Sequence, residues 1–195
     1  FMTKVAVVFA DGCEEVEGLS VVDVLRRLNV ETDMVGLKSI NVLGDHNIKL
    51  TCDKVVDDSL LDYDLVAFPG GRTGAENLRD DKKLADLMVK RHKQGKWDAA
   101  MCAAPIALGR YGVLDNADYT CYPGFEKQIE KDAPTSHFKE TITVTDNDKK
   151  VITSRGPATA WAYAYAIADA LGIDTTEIKK GMLYDYLATH IQESL

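Results

Sequence analysis

The feature that most constrains this chain is a recurring unit in which a short apolar run ends in a turn residue and gives way to helical periodicity. Val5–Phe9 is uninterrupted, β-branched and aromatic, as suits a strand buried on both faces, and Glu14–Leu28 follows with helical spacing. Asp64–Phe68 leads through Gly70-Gly71 to the helical stretch Lys82–Lys93, and Asp98–Cys102 leads to a helix beginning near Ala103 or Ala104. Strand and helix in this alternation build βαβ units. Thr141–Thr145 and Lys150–Thr153 alternate about the turn Asp146-Asn147-Asp148 as the arms of a hairpin do. The second arm feeds a helix with Pro157 in its first turn, alanine at every second position from Ala158 to Ala170, and Gly172 at its stop. Asp174-Thr175-Thr176-Glu177 fits a capping box that opens a last helix running to Gly181 or beyond. The expected architecture is a doubly wound α/β sandwich, a mostly parallel central sheet with helices on both faces. Strand order is not readable from these patterns.

Composition limits what such a domain can meet. At about 150 residues per domain, 195 residues with no linker, repeat or low-complexity segment read as one domain, residues 1–195. The net charge of -8 makes nucleic acid and anionic membrane poor partners and leaves small molecules or proteins. No apolar run is long enough to span a bilayer, no secretory leader is visible, and Phe1 ahead of Met2 reads as a residue added in cloning, so a cytoplasmic location is expected. Cys13, Cys52, Cys102 and Cys121 then read as reduced thiols, and no two stand at CxxC spacing. No phosphate loop, dinucleotide fingerprint or metal-ligand spacing is present, so no cofactor and no metal is implied.

In a doubly wound fold ligands bind outside the carboxyl ends of the strands. The residues at those ends are Asp11-Gly12, Gly70-Gly71, Cys102 and Arg155-Gly156. Cys102 has small residues two before and two after it, in Ala100-Met101-Cys102-Ala103-Ala104, which resembles a nucleophile elbow. A thiol at a helix N-terminus is expected to have a lowered pKa; the alternative is a buried structural cysteine. Glu17 falls on the apolar stripe of its helix with Val21, Val24 and Leu28, so its carboxyl points inward and must be paired or protonated. It either moves a proton for the thiol or is satisfied by amides at its own helix start. Glu14 and Glu15 are expected to be solvated, with Glu15 on the polar side alongside Arg26. Amides of Gly70 and Gly71 with that of Ala103 fit an oxyanion hole, or the glycines form a plain tight turn. Arg155 binds an anionic group or fixes the cap of the Pro157 helix. His92 and His190 are expected to be solvated, and the contacts of His46 and His137 stay open.

Together these segments resemble the DJ-1/PfpI (ThiJ-like) superfamily in its DJ-1/YajL branch. The likeness rests on VAVVFADGCEEVE from Val5 to Glu17, FPGGRTGAENL from Phe68 to Leu78, MCAAP from Met101 to Pro105, and TSRGPATA from Thr153 to Ala160. It implies a flavodoxin-like sandwich, usually a homodimer, a reactive Cys102, a protonated Glu17 against its sulfur, and backbone donors at Gly71 and Ala103. Tyr122 stands where many relatives carry a histidine before a proline, and Ala103 stands where other branches place a histidine after the nucleophile. A Cys-His dyad is thus unsupported, and base chemistry falls to Glu17 with Tyr122 as a donor. The family's glutathione-independent glyoxalase activity implies conversion of small carbonyls such as methylglyoxal to lactate, with deglycation as an extension. Gly70, Tyr122 and Arg155 are then candidate substrate contacts. The competing reading is a redox sensor or chaperone switched by oxidation of Cys102 under oxidative stress.

Overall fold

The computed structural model describes residues 3–195, so the reading of Phe1 lies outside the described residues. The elements follow in chain order as β1 (Lys4–Phe9), α1 (Glu15–Arg27), β2 (Glu31–Gly36), β3 (Asn41–Leu43), β4 (Lys49–Thr51), β5 (Lys54–Val55), β6 (Leu65–Phe68), α2 (Arg72–Asp80), α3 (Lys82–Lys93), β7 (Trp97–Met101) and α4 (Pro105–Arg110). After them come β8 (Asp118–Tyr119), α5 (Glu126–Asp132), β9 (His137–Phe138), β10 (Thr143–Asp146), β11 (Val151–Ser154), α6 (Ala160–Ala170), α7 (Thr176–Gly181) and α8 (Tyr184–His190).

Seven strands form one sheet in the order β10-β11-β7-β6-β1-β2-β5. Every pairing in it is parallel except the β10–β11 hairpin. Side chains alternate faces along a strand, and β1 shows why its run is apolar throughout. Ala6 and Val8 enter the core shared with Leu78, Leu84, Met88 and Leu108 on one side, while Val5, Val7 and Phe9 enter the core of Val21, Leu25, Tyr163 and Ala164 on the other. The sheet is therefore covered on both faces, by α2, α3 and α4 on one and by α1 and α6 on the other. The chain leaves β1 toward β2 and later returns to the opposite side of β1 as β6, so β1 and β6 flank the switch point where such sheets open a crevice.

The C-terminal segment departs from expectation. Asp174 accepts from the backbone and the hydroxyl of Thr176, a local turn in place of a capping box, and α7 has no side-chain cap. The helix stops at Gly181, Leu183 turns left-handed at φ 61°, and a separate α8 follows. Likewise the proline at 157 opens a 3-10 turn, Pro157–Thr159, ahead of α6.

Candidate active site

Cys102 follows the last residue of β7 and is held at φ 62°, in the left-handed region that a non-glycine residue adopts at a cost. Its amide donates to the Ser154 carbonyl at 3.0 Å and its carbonyl accepts from the Tyr122 amide at 2.9 Å, so β11 on one side and the 122–125 turn on the other fix the elbow. The residue is 9% exposed. Helix α4 starts at Pro105 with Ala104 as its N-cap, just after the expected start near Ala103 or Ala104.

Glu17 comes from the first turn of α1, after β1, and has no exposed surface. Its Oε1 accepts from the Gly70 amide at 2.7 Å, while Oε2 is buried without a hydrogen-bond partner. A Cβ on Gly70 would lie 2.6 Å from Glu17 Oε1 and 2.7 Å from Cys102 Cβ. Only glycine leaves room for the carboxyl and the cysteine to meet there. Gly71 has φ 84°, and a Cβ on it would lie 2.4 Å from the Gly12 carbonyl oxygen. The two glycines divide the work: the Gly70 amide serves Glu17, and the Gly71 amide faces the Cys102 sulfur together with that of Ala103.

The electrostatics follow from this packing. Burial pushes the Glu17 carboxyl up to about 7, against the opposing pull of the Gly70 amide and the Cys102 thiol. The expected lowering of the Cys102 pKa is corrected: burial pushes the thiol up, a charged Glu17 pushes it further, and the Ala103 and Gly71 amides pull it down without cancelling the burial. Part of that upward push exists only while Glu17 is ionised. A proton placed on Glu17 turns it from a repelling charge into a donor, so the two groups titrate as a pair.

The expectation that Glu14 and Glu15 are solvated is overturned. Glu14 is the N-cap of α1 and accepts from the Glu17 amide at 3.0 Å; Glu15, 2% exposed, accepts from the amide and the ring Nδ1 of His46 at 2.7 and 2.9 Å. Burial resists the Glu15 charge, yet the His46 amide, its own amide and the imidazole outweigh it and hold the carboxyl below its ordinary range. The His46 ring is raised in turn by that hydrogen bond and charge. The wheel missed this because the partner arrives from the β3–β4 hairpin, 31 residues on. Among the described residues Glu14, Glu15 and His46 also bring three possible metal donors within 4.8 Å, a cluster no local spacing reveals. Both carboxylates already accept amides.

Arg155 donates through Nε to the Cys121 carbonyl at 3.0 Å and lies 3.5 Å from Glu140. The cap at Pro157 is made by Thr159, whose hydroxyl meets the amide and carbonyl of Gly156. Tyr122 is 45% exposed, and a Cβ on Gly156 would touch its ring at 3.5 Å. Burial pushes Cys13 up to about 12, Cys52 to about 11 and Cys121 to about 12. His137 pairs with Asp118 and His190 stacks on Tyr186. His92 is half-buried, not solvated, and burial lowers its pKa.

Comparison with known proteins places this fold. The model of the DJ-1/PfpI family matches residues 3–170. Protein dj-1beta of Drosophila melanogaster is 32% identical over 95% of this chain and 100% of its own length, and its crystal structure superposes with a TM-score of 0.86 at 30% identity, covering 94% and 98% of the two chains. The protein of Schizosaccharomyces pombe named Glutathione-independent glyoxalase DJ-1 is 24% identical over 86% of this chain and 91% of its own. Against Protein DJ-1 homolog B of Arabidopsis thaliana, 32% identical over 86% of this chain, the match spans only 38% of the relative's length.

Proposed function

The chain belongs to the DJ-1/PfpI family, and on that premise we propose that it processes small reactive carbonyls through Cys102, converting methylglyoxal and water to lactate without glutathione. The observation that carries the reading is the convergence of a buried carboxyl with an unpartnered oxygen and two backbone amides beside one strained cysteine. The Cys102 thiolate adds to the aldehyde carbon, forming a C–S bond. The amides of Gly71 and Ala103 are the nearest donors for the resulting oxyanion. Glu17, protonated when the thiolate forms, gives its proton to that oxygen. As a carboxylate it then takes the proton from the former aldehyde carbon and returns it to the neighbouring carbon, while the hydroxyl proton passes from the first oxygen to the neighbouring carbonyl oxygen, which leaves a thioester. Water cleaves the thioester, releasing lactate and restoring the thiolate, and of the two protons set free one returns to Glu17 and one leaves to solvent.

The fission-yeast relative's name supports this chemistry. Tyr122 stands at the rim as a hydroxyl donor. Gly70 acts through Glu17, and Arg155 holds the Cys121–Tyr122 backbone. A homodimer fits the exposed Val16 and Leu19 on α1 beside Leu43 and Ile48 of the hairpin, an apolar face that a second copy would cover. No helix of the described residues is long and apolar enough to cross a membrane.

A second reading has its own support. The same amides would receive the oxygens of a Cys102 sulfinate, reached by two successive two-electron oxidations with peroxide, with protonated Glu17 as the third donor. A solved Toxoplasma gondii relative, 30% identical with a TM-score of 0.79, is described as oxidized. Turnover separates the readings. Lactate formed in many equivalents per protein, and lost in Cys102→Ala, is the result expected of the enzyme; no turnover with selective peroxide oxidation of Cys102 selects the sensor.

A further inference from the structure

The chain has seven arginines. Arg26, Arg27, Arg79, Arg91, Arg110 and Arg155 each have a carboxylate oxygen within 3.5 Å. Arg72 alone has no such partner among the described residues, in a protein whose net charge of -8 offers acids in excess. Its place is specific. Arg72 directly follows Gly71, whose amide faces the Cys102 sulfur, and its guanidinium lies over the Phe125 ring, 5.2 Å from the centroid. Phe125 meets Tyr122 edge to face at 6.3 Å, and the Tyr122 amide bonds back to the Cys102 carbonyl. The contacts close a circuit that starts and ends at the cysteine.

A cleft of about 240 Å³ lies on this circuit, lined by Arg72, Pro123, Gly124, Phe125 and Gln128. No acid lines it. Glu126, the acid nearest the turn, is engaged by the Gly124 amide at 2.7 Å, and the Gln128 oxygen already accepts from Arg79 at 3.0 Å, which leaves that side chain only its N–H donors to offer. An unpaired guanidinium braced by an aromatic face, with further donors and no carboxylate lining the cleft, is a receptor for an anion. A volume below the roughly 300–1,000 Å³ of drug-sized sites suits a short chain.

We propose that this cleft is a subsite for a carboxylate carried by the carbonyl substrate, with Arg72 as the residue that selects it. The proposal rests on the reading of Cys102 as nucleophile and names its substrate class: 2-oxoaldehydes bearing an anionic group a few bonds from the reacting carbon. The anionic group takes no part in the reaction, R–CO–CHO + H₂O → R–CHOH–COO⁻ + H⁺.

The test uses two near-isosteric alkylating agents, iodoacetate and iodoacetamide, which form the same S–CH₂ bond and release iodide but differ in charge. The rate of Cys102 labelling, read by mass spectrometry of its peptide, gives an iodoacetate-to-iodoacetamide ratio that requires no turnover. Arg72→Met should lower the ratio about fivefold or more, the size of one charged contact, and Arg72→Lys should restore much of it. Added salt should lower the ratio in the wild type and leave it unchanged in Arg72→Met. In parallel, kcat/KM for 4,5-dioxopentanoate should fall in Arg72→Met, chiefly through KM, while its neutral methyl ester is unaffected. A ratio equal in wild type and Arg72→Met overturns the subsite. Labelling by both reagents with no turnover of either oxoaldehyde defeats the enzymatic reading, and the ratio still decides whether the anion is bound. Labelling by neither reagent overturns both.

Discussion

Glu17 and Asp98 are both carboxyls without exposed surface, both are pushed up to about 7 by burial, and each keeps one oxygen without a partner. They differ in what meets the other oxygen. Asp98, at the start of β7, faces the Arg91 guanidinium at 3.1 Å, and Arg91 donates also to the carbonyls of Leu60, Tyr63 and Trp97. Glu17 lies near the other end of the same strand and meets one amide and a thiol. A guanidinium stays charged and holds its acid in a locked network, whereas a thiol carries a proton that can move. Equal burial thus yields a brace at one end of β7 and a candidate proton carrier at the other.

The comparison breaks most visibly at the cysteine. Cys102→Ala should abolish lactate formation from methylglyoxal while changing unfolding free energy by no more than about 1 kcal/mol, a split between assay and denaturation that a structural cysteine would not give. Arg91→Met should do the reverse at the opposite end. It strands the buried Asp98 charge and three carbonyls, so denaturant unfolding should show a loss of about 3–5 kcal/mol. Arg91→Met/Asp98→Leu, which removes both charges, should recover much of that loss.

A smaller effect separates the acids by pH. The folded pKa of Glu17 is raised from 4.5 to about 7, so the fold prefers its protonated form. That preference stabilises fully below the unfolded value and is lost as pH rises through the folded one. Glu17→Gln cannot ionise, and the wild-type decline in stability between pH 4 and pH 8 should shrink by about 3 kcal/mol in this variant. An undiminished decline would assign the pH dependence to Asp98. The smallest effect is expected at the rim, where Tyr122→Phe should change kcat/KM by no more than about threefold.

Much of this was legible in the sequence where burial is two-sided. β1 and β6 are apolar on both faces, as is β7 after Asp98, so their runs announce strands, and the small residues around Cys102 and at 70–71 mark the turns where backbone and side chains converge. Glu17 was legible because the apolar stripe of α1 leaves a carboxyl no polar side to turn to. Glu15 was misread by the same reasoning. A wheel knows only its own helix, and the polar partner that buries Glu15 arrives from a hairpin whose strands, Asn41–Leu43 and Lys49–Thr51, are too short and mixed to announce themselves. The break at Leu183 was hidden as well, because a non-glycine residue turning left-handed carries no local signal.

The central claim is that the reactive state of the site is a Cys102 thiolate beside a protonated Glu17. It is tested most directly by the pH profile of iodoacetamide labelling at Cys102 in wild type and Glu17→Gln. With the shared proton on Glu17, glutamine replaces a carboxylic acid by a weaker donor, and the midpoint for Cys102 should move to higher pH. A midpoint that moves to lower pH would mean that Glu17 acts as a charge repelling the thiolate, and would contradict the account.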